Sequence, residues 1–260
     1  MQGGVHLLSG LVLASLNKKK DFKLGAVFGA IFPDIDIFIT GLVYLIAGET
    51  AAMEIHRSFT HSLFMVFLFT AILIGAYFVP KIKQTENFNL LHFAIGFGIG
   101  MFVHVMLDTL YLSHVLLFWP FSAQEISFAI VPVAALSEIQ LRLLQVTDFY
   151  TDIFLFYIPI LFIAFKKNLH RIIRIPFLIY ILVDFAVITF FMFNAFTSPV
   201  DYNQFVINLY KPGVFFLLIS IFSPFLFKEV VNDFKFKTRD IVIIVSLFVF
   251  SQFLFWLATF

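Results

Sequence analysis

Three short polar motifs interrupt an otherwise apolar N-terminal half, and all three use residue types that bind metal ions or move protons. The first is Pro33-Asp34-Ile35-Asp36. Two carboxylates inside an apolar stretch cannot both stay ionised without cations nearby, because charge is costly away from water. On a regular helix, residues i and i+2 lie about 200° apart around the axis, so one carboxylate would only support the other's site. Pro33 removes a backbone donor and can break the helix, which would turn both carboxylates toward one point. The second motif is His56-Arg57-Ser58-Phe59-Thr60-His61-Ser62. Neutral imidazole is the commonest metal ligand, and a guanidinium such as that of Arg57 grips a phosphate or carboxylate bidentately. Ser58 or Thr60 is expected to cap the helix that follows and so to fix the direction of His61. The third is His104-Val105-Met106-Leu107-Asp108-Thr109. Its i, i+4 spacing puts His104 and Asp108 on one helical face, one turn apart. That suits two metal ligands, or a carboxylate that orients an imidazole. His6, ahead of the first apolar stretch, is a further candidate.

Composition narrows the chemistry. The chain has no cysteine, so thiolate metal sites, disulfides and thiol nucleophiles are excluded. Any metal must be held by nitrogen and oxygen, which favours a divalent ion, zinc first and manganese or iron next. The candidates outnumber the three protein ligands of a usual mononuclear catalytic zinc site, so one or two ions are expected. A formal net charge of +1 argues against nucleic acid as a partner.

The elements that must position these groups are membrane segments. Hydrophobic residues make up 61% of the chain and charged residues 13%, too few to cover a water-facing surface. A spanning helix needs roughly 17–25 apolar residues, and Leu24–Ala47, Ser62–Val79, Phe88–Leu107, Phe149–Phe165, Ile175–Phe196, Gly213–Phe227 and Ile241–Phe260 meet or approach that length. Val5–Leu16 is short for a crossing, and no basic region precedes it as in a signal peptide. His114–Ala135 carries Trp119-Pro120-Phe121-Ser122, Glu125 and Pro132, and reads as a re-entrant segment or a broken helix at the interface. The expected fold is therefore all-α, a polytopic transmembrane bundle of about seven to nine segments, some short or broken. Residues 1–135 carry the His/Asp core, and residues 136–260 add further helices of the same membrane domain. Within the third long segment, Gly96-Phe97-Gly98-Ile99-Gly100 mimics a phosphate loop, but no strand precedes it, so close helix packing is expected.

Basic residues cluster at Lys18–Lys23, Lys81–Lys83, Lys166–Arg174 and Lys228–Arg239. The positive-inside rule puts those clusters in the cytoplasm and the intervening loops outside. His56, His61, the 104–108 pair and His6 then reach the level of Asp34 and Asp36 in one cavity facing the non-cytoplasmic side. A prokaryotic plasma (inner) membrane is the expected location. His92, His114 and His170 have no carboxylate or histidine partner at helical spacing and read as ordinary histidines.

The order of these elements resembles the membrane-bound metal-dependent hydrolases, a family with some bacterial members under SOS-repressor control. The resemblance runs over about residues 1–125: an N-terminal His6, a glycine-rich run ending in Pro33-Asp34-Ile35-Asp36, His56 to Ser62, His104 to Thr109, then Trp119-Pro120-Phe121-Ser122. It implies metal-site roles for His6, Asp34, Asp36, His56, His61, His104 and Asp108. The expected activity is metal-assisted hydrolysis of an ester or phosphoester in a lipid-like or small-molecule substrate within the membrane lipid. Asp36 is a candidate general base and Arg57 a phosphate-binding group. A divalent-cation or proton-coupled transporter using the same cluster is the alternative, and a scaffold with a structural metal is a third.

Overall fold

The structure is a computed structural model, and it describes residues 3–47, 59–79, 88–110, 115–128, 136–157 and 238–258, with separate positions between 175 and 193. Every named element among them is helical. α1 covers Gly3–Ser15 and α2 Lys20–Ile31; a 3₁₀ turn at Phe32–Ile35 leads into α3, Asp36–Ala47. α4 is Leu63–Tyr77, α5 Leu90–Leu110 and α6 Glu138–Thr151, which runs into a π-helical turn at Asp152–Tyr157; α7 is Thr238–Ala258. The chain divides into two compact units. One comprises His6–Phe128 with Ser220–Phe236, and the other Met1–Val5, Ala129–Ile219 and Lys237–Phe260.

The expected single span from Leu24 to Ala47 is in fact two helices. Pro33 lacks the amide hydrogen that would continue α2, and its ring crowds the preceding turn. The chain tightens into the 3₁₀ turn and then resumes as α3. Phe32 pins that turn, its ring meeting Phe69 of α4 and Phe97 of α5 edge-on at centroid distances of 5.1 and 5.0 Å. The break leaves Asp34 and Asp36 buried.

α2 and α5 pack backbone to backbone. Gly25 and Gly29 on α2 face Gly96 and Gly100 on α5, the members of each pair four positions apart so that the small positions share a face. A Cβ on Gly29 would run into the carbonyl of Phe97, and one on Gly100 into that of Ala26. The glycines that resemble a phosphate loop thus form a helix-packing seam, as close approach of membrane helices requires. Gly98 admits Thr70 of α4, and Gly10 of α1 lies against Val27 and Ala30 of α2. Beside this seam, Val66, Phe97, Met101, Val105, Val115 and Leu117 form a buried apolar cluster.

Among the described residues α5 alone is long and apolar enough to cross a membrane. Its 21 residues span about 31 Å at 1.5 Å per residue, the thickness of a bilayer's hydrocarbon core. Ile95, Ile99, Phe102 and Leu110 expose an apolar flank along it, while Phe97, Met101, His104, Val105 and Asp108 point inward. α4 has 15 residues, short of a full crossing on its own. The apolar run expected from Phe149 begins inside α6, a helix that starts at Glu138. Gly213–Phe227 lies outside the described residues. In the second unit, the buried Asp152 carboxylate accepts the amides of Gly4 and Val5, both at 3.1 Å. Those amides belong to the first turn of α1, where helix donors lack partners and negative charge is favoured. The described part of His114–Ala135, residues 115–128, is a loop closed by an antiparallel bridge between Val115 and Ile126, with no helix in it.

Candidate metal centre

Three elements deliver the four candidate ligands. The 3₁₀ turn carries Asp34, the residues leading into α4 carry His61, and the last two turns of α5 carry His104 and Asp108. Ser62 caps α4: its hydroxyl accepts the amide of Met65 at 3.2 Å and donates to the carbonyl of Phe59 at 2.9 Å. The cap is therefore Ser62, the extended residue directly before the helix, and not Thr60; Ser58 lies outside the described residues. Thr60 is thereby released for a different task.

The hydrogen bonds settle which nitrogen of each histidine is available. His104 Nδ1 lies 2.7 Å from the carbonyl oxygen of Ala30. A carbonyl only accepts, so Nδ1 carries the proton and a neutral His104 presents its Nε2 lone pair. The Thr60 hydroxyl donates to Asp36 Oδ2 at 3.1 Å and lies 3.0 Å from His61 Nδ1. Its one hydrogen being used, it accepts from His61 Nδ1, and His61 likewise presents Nε2.

Those two Nε2 atoms are 3.2 Å apart. Asp34 Oδ1 lies 3.5 Å from His61 Nε2 and 3.6 Å from His104 Nε2. Asp108 Oδ2 lies 3.2 Å from His61 Nε2 and 3.6 Å from His104 Nε2. All four ligand atoms fall within 4.8 Å of one another. His61, His104 and Asp108 are fully buried and Asp34 nearly so. Burial works against a charged His61, but the surrounding carboxylates of Asp108, Asp34 and Asp36 prevail and raise its pKa well above the ordinary histidine value. The cage thus demands positive charge, which a proton or a metal cation can satisfy. The arrangement can bind a metal ion, and the donor set fits one.

Other sequence candidates stand around these four. Asp36 sits at the Nδ1 edge of His61, 3.6 Å away and joined through Thr60, outside the group of four. The His6 ring stacks on His104 at 3.5 Å, and its Nε2 is 3.2 Å from Asp108 Oδ1, the oxygen turned away from His61. Both ring nitrogens of His6 are buried, Nε2 facing Asp108 and Nδ1 having no hydrogen-bond partner among the described residues. His56 and Arg57 lie outside the described residues. Two supporting groups escaped the sequence reading. Thr60 was legible only as a cap, and the Ala30 carbonyl, being backbone, leaves no signal in residue types.

The description "YdjM inner membrane protein" matches residues 1–196. The chain belongs to that family. The match runs well past residue 125, where the recognisable motifs end, so the family likeness includes part of the second half. The family description is of inner-membrane proteins, and the composition agrees with a membrane protein. No curated protein and no solved structure matches the chain.

The Thr60 relay is testable within this framework. Partners that hold a metal-ligating histidine in the right tautomer typically contribute about 10–100-fold to metal affinity. Thr60→Val keeps the shape and removes the hydroxyl, and is expected to weaken zinc binding by about that factor. Thr60→Ser should stay near wild type. Competitive zinc titration against a fluorescent chelator reads both.

Proposed function

We propose that the protein is a membrane-embedded metal-dependent hydrolase, with zinc held by Asp34, His61, His104 and Asp108, acting on an ester or phosphoester of a lipid-like substrate. The observation that carries this reading is the convergence of two Nε2 lone pairs and two carboxylate oxygens. A tetrahedral zinc with ligands at about 2.0–2.1 Å has ligand–ligand edges of roughly 3.3–3.4 Å. The edges from the two Nε2 atoms run from 3.2 to 3.6 Å. Two carboxylates also balance a divalent ion, so the loaded site buries no net charge from these four groups. When bound, zinc supplies Lewis acidity and makes water more acidic.

The chain's own groups take the remaining roles. Asp36 and Thr60 hold the His61 proton at Nδ1, and Ala30 does the same for His104. His6 is placed either to complete the ligand set or to carry a proton beside Asp108. Arg57, four residues ahead of His61 in the sequence, is assigned to a substrate phosphate by its residue type. The wider reading has about seven to nine membrane segments and a site facing the non-cytoplasmic side of the inner membrane. Divalent-cation transport is the second reading, favoured by the complete burial of His61, His104 and Asp108.

The deciding experiment pairs metal analysis with turnover. Detergent-purified protein should hold near-stoichiometric zinc and hydrolyse a lipid ester or phosphoester in mixed micelles. Chelation should remove both properties and added zinc restore them. Metal-free protein, or full activity in His104→Ala, would overturn the reading. Cation uptake into sealed liposomes that Asp34→Asn abolishes would establish transport instead.

A further inference from the structure

The loop at residues 115–128 has a firmly anchored base and an apolar tip. At the base, Val115 and Leu117 are buried in the core cluster beside Met101 and Val105. Val115 and Ile126 exchange both backbone hydrogen bonds, at 3.2 and 2.9 Å. The amide of Leu63 donates to the Leu117 carbonyl at 2.9 Å, and that of Phe128 to the Thr109 carbonyl at 2.6 Å. These bonds fix the loop to the start of α4 and to the C-terminal end of α5, the two places that supply His61 and Asp108.

Beyond the base, the side chains point outward. Phe121 is 82% exposed, Phe128 62% and Phe118 49%. Among the described residues the Phe121 ring meets only that of Phe64, edge-on at 5.7 Å, so the three phenylalanines on this anchored loop forgo most of the stabilisation that burial would bring. Gln124 and Glu125 are exposed between them, so the tip mixes aromatic and polar groups. Trp119 is half-buried, with Phe59 and Phe64 each 6.3 Å from its ring. Such a mixture is characteristic of the boundary between headgroups and acyl chains.

The position of the loop identifies what covers it. α5 has the length of the hydrocarbon core, so its C-terminal end lies at that boundary. The exposed flank of α5 ends at Leu110, next to Thr109, which carries the carbonyl bonded to Phe128. The apolar surface therefore continues from a membrane helix onto the loop. Asp108 lies two residues from the end of α5 and His104 six, or about 3 and 9 Å along the axis.

We propose that this loop is an interfacial anchor, with Phe118, Phe121 and Phe128 seated among lipid acyl chains. It thereby holds the His/Asp site at the depth of the lipid linkage region, so that the substrate is a bilayer lipid reached at its glycerol–headgroup linkage. The fate of that linkage rests on the hydrolase reading; the placement of the loop does not.

The test uses the full chain with Trp256→Phe, leaving Trp119 as the single fluorophore, in liposomes of phosphatidylcholine and phosphatidylglycerol. Lipids brominated near the headgroup should quench Trp119 at least twice as strongly as lipids brominated near the chain end. Phe121→Asp should cut that quenching by half or more while leaving the zinc content unchanged. Quenching by aqueous acrylamide alone, strongest quenching by the deepest bromines, or quenching by neither agent would overturn the proposal. The last result would mean that protein covers the loop. Zinc content and lipid turnover, measured on the same samples, report separately on the hydrolase reading.

Discussion

Replacing His104 with alanine is expected to strip the protein of its metal. Zinc should fall from near one per chain to background in elemental mass spectrometry of detergent-purified samples. The loss should exceed the 10–100-fold or so that removal of a supporting hydrogen bond costs, since a ligand itself is gone. Three effects combine. One Nε2 donor disappears, the Ala30 carbonyl loses its partner at 2.7 Å, and the face on which His6 stacks at 3.5 Å vanishes. Asp34 and Asp108 would then be buried with one imidazole fewer. Breaking a buried charged set by removing one partner commonly costs about 3–5 kcal/mol, so a lower unfolding temperature should accompany the metal loss. Asp108→Asn tests the same site with little change of volume, and should also lose zinc. Wild-type zinc in both variants would show that the four groups are not the metal site.

The glycine seam should be nearly as sensitive, although no glycine touches the site. In Gly29→Ala the new methyl meets the Phe97 carbonyl, and in Gly100→Ala it meets that of Ala26. Both obstacles are backbone, so neither can rotate away, and α2 must separate from α5. Overpacking of this kind typically costs about 1–3 kcal/mol. The functional consequence is larger than the stability change implies. Ala30 follows Gly29 directly, and moving α2 withdraws its carbonyl from His104 and the adjoining turn from Asp34. Zinc affinity should fall in both variants, and Gly100→Leu should fail to bind at all. Gly75 on α4 is the control: nothing lies within 4 Å of a Cβ there, so Gly75→Ala should match or slightly exceed wild-type stability. Equal zinc affinity in Gly29→Ala and Gly75→Ala would refute the coupling.

Much of the candidate site was legible in the linear chain because its groups announce themselves. Ionisable residues are rare in apolar segments, so Asp34, Asp36, His104 and Asp108 stood out by cost alone. The i, i+4 spacing of the last two fixes their shared face without any tertiary information. The break at Pro33 was likewise foreseeable from its missing donor. Cysteine content and hydropathy, which depend on composition alone, determined the donor chemistry and the membrane class.

What the tertiary structure decided is which of those groups meet and which atoms they present. Asp34 and Asp36 are near-identical in sequence terms, yet one joins the four ligand atoms and the other stands behind His61. That distinction depends on how far the 3₁₀ turn rotates the chain, which Phe32 sets by wedging against Phe69 and Phe97 from two other helices. The tautomers of His61 and His104 depend on a Thr60 hydroxyl and an Ala30 carbonyl, the latter brought into reach only because glycines let α2 and α5 touch. The pool of candidate ligands is a property of residue type and local period, and so is written in the sequence. Ligand geometry is a property of interhelical distance, and exists only once the helices have packed.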